Sequence, residues 1–244
     1  MKKKIIIGAA VLLLLGALIT ALLFYTGVLL FNHPSREEYP VRGVDVSSYQ
    51  GEIDWQILSK SGIDFAFIKA TEGSSAVDPC FQSNWEGAFK TDLRIGAYHF
   101  FSYDSPGLSQ AENFISVVPK APLMLPPVVD VEFYGDKEQN PPDKAKTEEE
   151  LTALLKALTQ HYGVKPILYA TEKSYSLYIA DSFREYDIWI RNVLSAPTLS
   201  DGRGWTFWQY TNRGRLSGYQ GEESYIDINV FAGSREEFLA YPAD

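Results

Sequence analysis

Between residues 41 and 231, eight short segments rich in β-branched and aromatic residues follow one another, at 41–47, 65–71, 94–101, 127–133, 166–171, 187–193, 206–210 and 225–231. Helical periodicity lies between the early ones, at 54–60, 81–90, 108–117, 148–162 and 173–183. This alternation constrains the fold more than any other feature. Strands fed by helices lie parallel with right-handed crossovers, and eight of them are enough to close a (β/α) barrel. The helix at 148–162 is the best marked, with Thr147 and Glu150 in capping-box spacing, apolar Leu151, Leu154, Leu155 and Leu158, and Gly163 as its stop. The later connections read as loops: 194–205 holds Pro197, Gly202 and Gly204, and 211–224 holds Gly214, Gly218 and Gly221. The expected fold class is α/β, a barrel short of helices on its late side.

Within the fourth segment, Val128-Val129-Asp130-Val131-Glu132-Phe133 is an apolar run broken only by two acids. Residues two apart on a strand share a face, so both carboxyls project together from a buried edge. Burying charge is costly unless it is paired, and two neighbouring carboxylates push their proton affinities apart, leaving one donor and one anion at the same pH. That is the requirement of glycoside hydrolysis, in which one carboxylic acid protonates the leaving oxygen and a second group stabilises positive charge at the anomeric carbon. Glu132, longer and nearer the strand end, suits the donor, and Asp130 is expected to raise its pKa by like-charge repulsion. In a barrel the reacting groups sit at the C-terminal strand ends, where Asp45, Glu72 and Asp227 also fall.

Residues 5–31 carry no charge and exceed the roughly 20 residues a bilayer-crossing helix needs, with Lys2, Lys3 and Lys4 immediately before them. A secretory signal has an apolar core of only about 7–15 residues, so the segment reads as an uncleaved anchor. The positive-inside rule then places residues 1–4 in the cytoplasm and everything after 31 outside. Residues 32–40 form a short polar linker, and 41–244 form the barrel. The three lysines are part of 22 basic residues, leaving 19 against 31 acidic ones and a charge of −12 on the exported part. A nucleic-acid partner is therefore not expected. Cys80 is the single cysteine, which excludes an internal disulfide and any multi-cysteine metal site.

Glycan clefts combine aromatic platforms with polar side chains, and Tyr98, Tyr169 and Trp208 are the aromatics best placed on strands to line one, with Glu72 as a polar contact. His99 is the one histidine positioned to join Asp45, Asp130 and Glu132 in a metal site, which would describe a metal-dependent deacetylase. The more common role for a histidine between Tyr98 and Phe100 is hydrogen-bonded core. No phosphate loop, Ser-His-Asp order or activated thiol is evident, and no metal or cofactor is expected.

Taken in order, Gly43-Val44-Asp45-Val46-Ser47 with Gln50-Gly51 and Asp54-Trp55, Phe67-Ile68-Lys69-Ala70-Thr71-Glu72-Gly73, Asp78-Pro79 with Phe81 and Asn84-Trp85, Gly96-Ala97-Tyr98-His99-Phe100, Asp130-Val131-Glu132, Trp208-Gln209-Tyr210 and Asp227-Ile228-Asn229 form a pattern that resembles family 25 glycoside hydrolases, the N,O-acetylmuramidase type of lysozyme. The resemblance implies an irregular TIM-like barrel of eight strands with about five helices, preceded here by one transmembrane helix. It also implies cleavage of the β-1,4 bond between N-acetylmuramic acid and N-acetylglucosamine. By the same resemblance Glu132 is the general acid, Asp130 assists at the anomeric centre, and Asp45 and Asp227 support them. One departure is Arg191: the family usually continues Trp-Ile-Ala where this chain has Trp189-Ile190-Arg191. A positive charge there could alter subsite preference or a neighbouring acid's pKa.

The expectation is thus a monomeric, membrane-anchored peptidoglycan hydrolase outside a bacterial plasma membrane, with glycan strands and the bilayer as its partners. A barrel that binds wall without turnover, a chitin-type hydrolase and a metal-dependent deacetylase remain the alternatives.

Overall fold

The computed structural model describes residues 2–242. All eight expected strands are present: β1 (Arg42–Val46), β2 (Phe65–Glu72), β4 (Arg94–Phe100), β5 (Val128–Val131), β6 (Ile167–Thr171), β7 (Ile188–Arg191), β8 (Phe207–Gly214) and β9 (Ile226–Phe231), with a two-residue β3 (Ala76–Val77) folded back on β2. They run in the order β1-β2-β4-β5-β6-β7-β8-β9, and β9 closes on β1 to make a barrel. The first seven barrel strands pair in parallel. The last does not. β9 is antiparallel to both β8 and β1, because the segment 215–225 carries no crossover helix and can only turn back as a hairpin. Parallel pairing was the expectation for strands fed by helices, and the barrel departs from it at this helix-free late connection.

Helices α2 (Trp55–Leu58), α3 (Phe81–Ala88), α4 (Gly107–Val117), α5 (Lys144–Tyr162), α6 (Glu172–Ser174) and α7 (Arg235–Ala240) follow the barrel strands, and α1 (Lys2–Tyr25) precedes them. Helix α5 starts a turn earlier than its capping-box spacing suggests: Asp143 is the N-cap, accepting from the Lys146 amide. Thr147 is instead buried, and Glu150 accepts from the Gly107 amide of α4 at 2.7 Å.

The strand pleat sorts side chains into two compartments. Val44, Val46, Ala66, Ile68, Val129, Val131 and Ile190 point outward into a core shared with the helices. Phe65, Phe67, Val128, Ile167, Tyr169, Trp189, Phe207 and Phe231 point inward and fill the barrel. Phe67 stacks on Trp189 at 4.7 Å, while Phe65, Phe67 and Phe207 meet edge to face. Gly43 is required here, since a Cβ would lie 2.3 Å from a Phe65 ring carbon. The lower half of the barrel is therefore a solid apolar plug, and a ligand can enter only above it.

Residues 26–41 do not hang free as a linker. Asn32 is buried and donates to the carbonyls of Asn192 and Tyr210 at 3.2 Å each. Arg42 donates to the Pro34 carbonyl and, at 3.1 Å, to Tyr210 Oη, and Arg36 donates to the Gly62 carbonyl. Tyr39 packs against Trp205 and Trp208. The segment thus runs from the mouth of the barrel, where Asn192 follows β7, to its floor, where Gly62 precedes β2. It covers the late face of the barrel, which the helices leave bare.

Candidate active site

Along β5 the inward row reads Val128 and Asp130, and Glu132 follows directly past the strand's end, so the segment that plugs the barrel with valine ends by delivering two carboxyls above the plug. They enter a cleft of about 450 Å³ at the barrel mouth, together with Asp45, Lys69, Tyr98, Phe100, Tyr169, Trp189, Arg191, Gln209 and Asp227. Asp130 is buried, only 6% exposed, whereas Glu132 is partly open to the cleft. Asp227 lies directly opposite Asp45 in the β1–β9 register. It reaches the mouth from the start of its strand, not from the end, because β9 runs the other way.

Asp45 is the anchor of a buried polar network. Gln209 donates to both of its oxygens, at 3.1 and 3.0 Å, and Asn229 donates at 2.7 Å. Each amide is itself oriented by an aromatic donor, Tyr169 Oη to Gln209 at 3.0 Å and Trp189 Nε1 to Asn229 at 2.8 Å. Burial raises the Asp45 pKa and these two amide bonds oppose the rise. Asp227 is raised well above the ordinary carboxylate range, first by burial and then by the Asp45 charge and a hydrogen bond to it.

Glu132 is pushed up to about 7 by burial, with Arg191 and Lys69 opposing and Asp45 reinforcing. Asp130 is raised well above the usual range by burial and then by the Glu132 charge. Desolvation is the first cause at both carboxyls, ahead of the like-charge repulsion expected between them. Asp130 Oδ1 is buried and has no hydrogen-bond partner among the described residues.

Two expected ligand contacts lie elsewhere. Trp208 faces the outer side of β8, is 3% exposed beneath Tyr39, and donates its indole N–H to the Asn192 carbonyl at 2.8 Å. Its neighbour Gln209 takes the inward position, as a two-residue period demands. Glu72 is exposed beyond the cleft lining and pairs with Lys69 at 2.8 Å. Register slips between Lys69 and Thr71, turning Thr71 toward His99. His99 is fully buried outside the barrel lumen. Its Nδ1 accepts from Thr71 Oγ1 at 2.7 Å and its Nε2 donates to Gln110 Oε1 at 3.0 Å, and burial lowers its pKa to about 4. It cannot join the four acids in a metal site.

Lys69 and Gln209 line the cleft and the fully buried Asn229 supports it through Asp45, three residues not expected there from the sequence. All three sit inside the short motifs that carried the family resemblance, which was the available signal. Lys69 also lies over the Phe100 ring at 4.9 Å.

The family described as glycosyl hydrolases family 25 matches residues 44–219 of this chain. A solved family 25 glycosyl hydrolase from Bacillus anthracis superimposes with a TM-score of 0.82 at 57% identity, covering 87% of this chain and 97% of that one. Lysozyme M1 of Streptomyces globisporus is 32% identical, over 82% of this chain and 70% of its own length. The uncharacterized protein YegX of Escherichia coli strain K12 is 36% identical, over 83% and 74% respectively.

Proposed function

Because this chain belongs to family 25 of the glycosyl hydrolases, we propose that it is a peptidoglycan muramidase in which Glu132 is the proton donor and Asp130 answers the positive charge that develops at the anomeric carbon. It cleaves the β-1,4 bond between N-acetylmuramic acid and N-acetylglucosamine. One observation supports the residue assignment: Asp130 at the end of β5 and Glu132 just beyond it both line the cleft above a solid apolar floor.

In this reading a sugar enters over Tyr98 and Tyr169, its apolar face against aromatic rings and its hydroxyls toward Gln209, Asn212 and Lys69. With a pKa of about 7, Glu132 retains its proton in a good share of molecules at neutrality, as a general acid must. It donates that proton to the glycosidic oxygen as the bond breaks. Burial disfavours the charged form of Asp130, and an adjacent sugar N–H or a developing cation supplies the partner that Oδ1 does not find among the described residues. Either direct attack or orientation of the sugar's own acetamido group uses that oxygen. Asp45, held by two amides and facing Asp227 across the register, keeps the far wall rigid.

The membrane reading rests on α1, whose stretch Lys4–Tyr25 is long and apolar enough to cross a bilayer and whose apolar side chains are exposed. Here α1 is an uncleaved single-pass anchor, with its lysine-rich start in the cytoplasm and the barrel outside the bacterial plasma membrane.

The test is mass spectrometry of muropeptides released from purified cell wall by the full-length chain in detergent. New reducing ends should all be N-acetylmuramic acid. Reducing N-acetylglucosamine, or no cleavage, would overturn the muramidase assignment.

A further inference from the structure

Helix α1 is built to stop, and it stops against the catalytic end of the barrel. Its C-terminus is closed by a Schellman pair, Val28 N–H to the Leu23 carbonyl at 3.0 Å and Gly27 N–H to the Phe24 carbonyl at 3.1 Å, with Gly27 at φ 65°. Gly27 is also pressed against β8, where a Cβ would fall 2.7 Å from the Arg213 carbonyl oxygen. The last carbonyls of the helix are capped by the barrel: Arg213 donates to Tyr25, and Arg215 donates to Thr26 at 2.7 Å. Both guanidiniums stack on aromatic rings, Arg213 on Tyr25 and Tyr225 at 5.1 and 5.2 Å, Arg215 on Tyr225 at 5.2 Å. Arginine at a helix C-terminus is favoured by the dipole as well as by the free carbonyls.

These contacts belong to the hairpin between β8 and β9, and the same hairpin forms one wall of the cleft through Asn212, Glu223 and Asp227. Glu223 is tied to the adjoining loop after β1, its amide to the Tyr49 carbonyl at 3.0 Å and its carboxylate to Gln50 at 3.3 Å. Beyond Val28 the chain turns down the barrel side along the buried Asn32 and leaves the mouth. An undocked segment from 28 to 40 could hold the barrel up to about 40 Å from the helix end, at roughly 3.3 Å per residue. The docked segment removes that freedom.

We infer that the β8–β9 hairpin is a bilayer-contact surface, which seats the cleft rim at the lipid headgroups and directs the enzyme to glycan lying against the membrane. This rests on α1 being a membrane anchor. Tyr25 and Tyr225 then lie at the headgroup level where aromatic rings concentrate, and Arg213 and Arg215 lie where anionic headgroups can reach them. The barrel floor, with Leu123 in the loop ahead of β5, faces away from the lipid.

The test uses the full chain in nanodiscs containing phosphatidylglycerol and a headgroup-labelled acceptor lipid. A donor dye is attached at Glu222→Cys in the hairpin or at Leu123→Cys at the floor, each in a Cys80→Ser background. Both sites are exposed. Energy transfer should be several-fold higher from position 222 than from 123. Arg213→Ala with Arg215→Ala and a ten-residue Gly/Ser insertion after Thr26 should bring the two values together. Equal transfer from both sites in the otherwise unaltered chain overturns the inference while leaving the anchor intact. Recovery of the chain free of lipid overturns the anchor reading and this inference with it.

Discussion

Replacing Glu132 with glutamine should abolish turnover and, at alkaline pH, make the protein more stable. Burial raises this carboxyl from 4.5 to about 7. A group that binds its proton more tightly in the folded state contributes stability that is full below the unfolded value and is lost as pH rises through the folded one. The window runs from 4.5 to about 7, which at about 1.4 kcal/mol per pH unit is on the order of 3 kcal/mol. Above that window the ionised glutamate burdens the fold, and Glu132→Gln removes the ionisation without changing shape. At pH 8.5 the variant should melt higher by up to roughly 6–12 °C, taking about 2–4 °C per kcal/mol for a domain of this size. The gain should shrink toward zero at pH 5, where the glutamate in the fold is already neutral. Turnover should behave differently. Wild-type activity on purified wall should fall roughly tenfold for each pH unit above about 7, and the variant should be pH-flat and about 100- to 10,000-fold slower. Calorimetry and reducing-end release at matched pH measure the two effects. A variant that melts lower at pH 8.5 and loses activity only in proportion to unfolded protein would refute the donor assignment. So would one that cleaves at near wild-type rate.

Arg191 holds the Glu132 pKa down, so Arg191→Ala should move the alkaline limb of kcat/KM to higher pH; an unmoved limb would show that the guanidinium does not act on the donor. Gly43→Ala should destabilise the barrel by about 1–3 kcal/mol, because the added methyl must displace Phe65 inside a filled plug. The urea midpoint measures this, and an unchanged midpoint would mean that the floor is looser than its packing indicates.

What residues alone determined here was local. A period of two is a property of the extended backbone, so Val128, Asp130 and Glu132 had to share a face wherever the strand lay, and the burial of Val128 implied the burial of the acids. Eight strand segments were visible for the same reason, and the bare late side of the barrel could be seen in the glycines of 194–224. Strand direction was not local. β9 runs antiparallel because its connection is too short and helix-free to cross over, and only that reversal brings Asp227, near the start of its strand, across from Asp45. Which residue of β8 faces the cleft was decided by pleat phase within the closed barrel: Gln209 turns inward and Trp208 turns outward under Tyr39. Thr71 was turned outward to His99 by a one-residue slip in β2 that no local pattern records. The polar stretch 32–40 looked like a tether because its composition is that of a loop, yet Asn32 finds buried carbonyl partners 160 and 178 residues away. Contacts at such separation exist only once the barrel has closed, and they make the strap and the docked end of α1 properties of the tertiary structure alone.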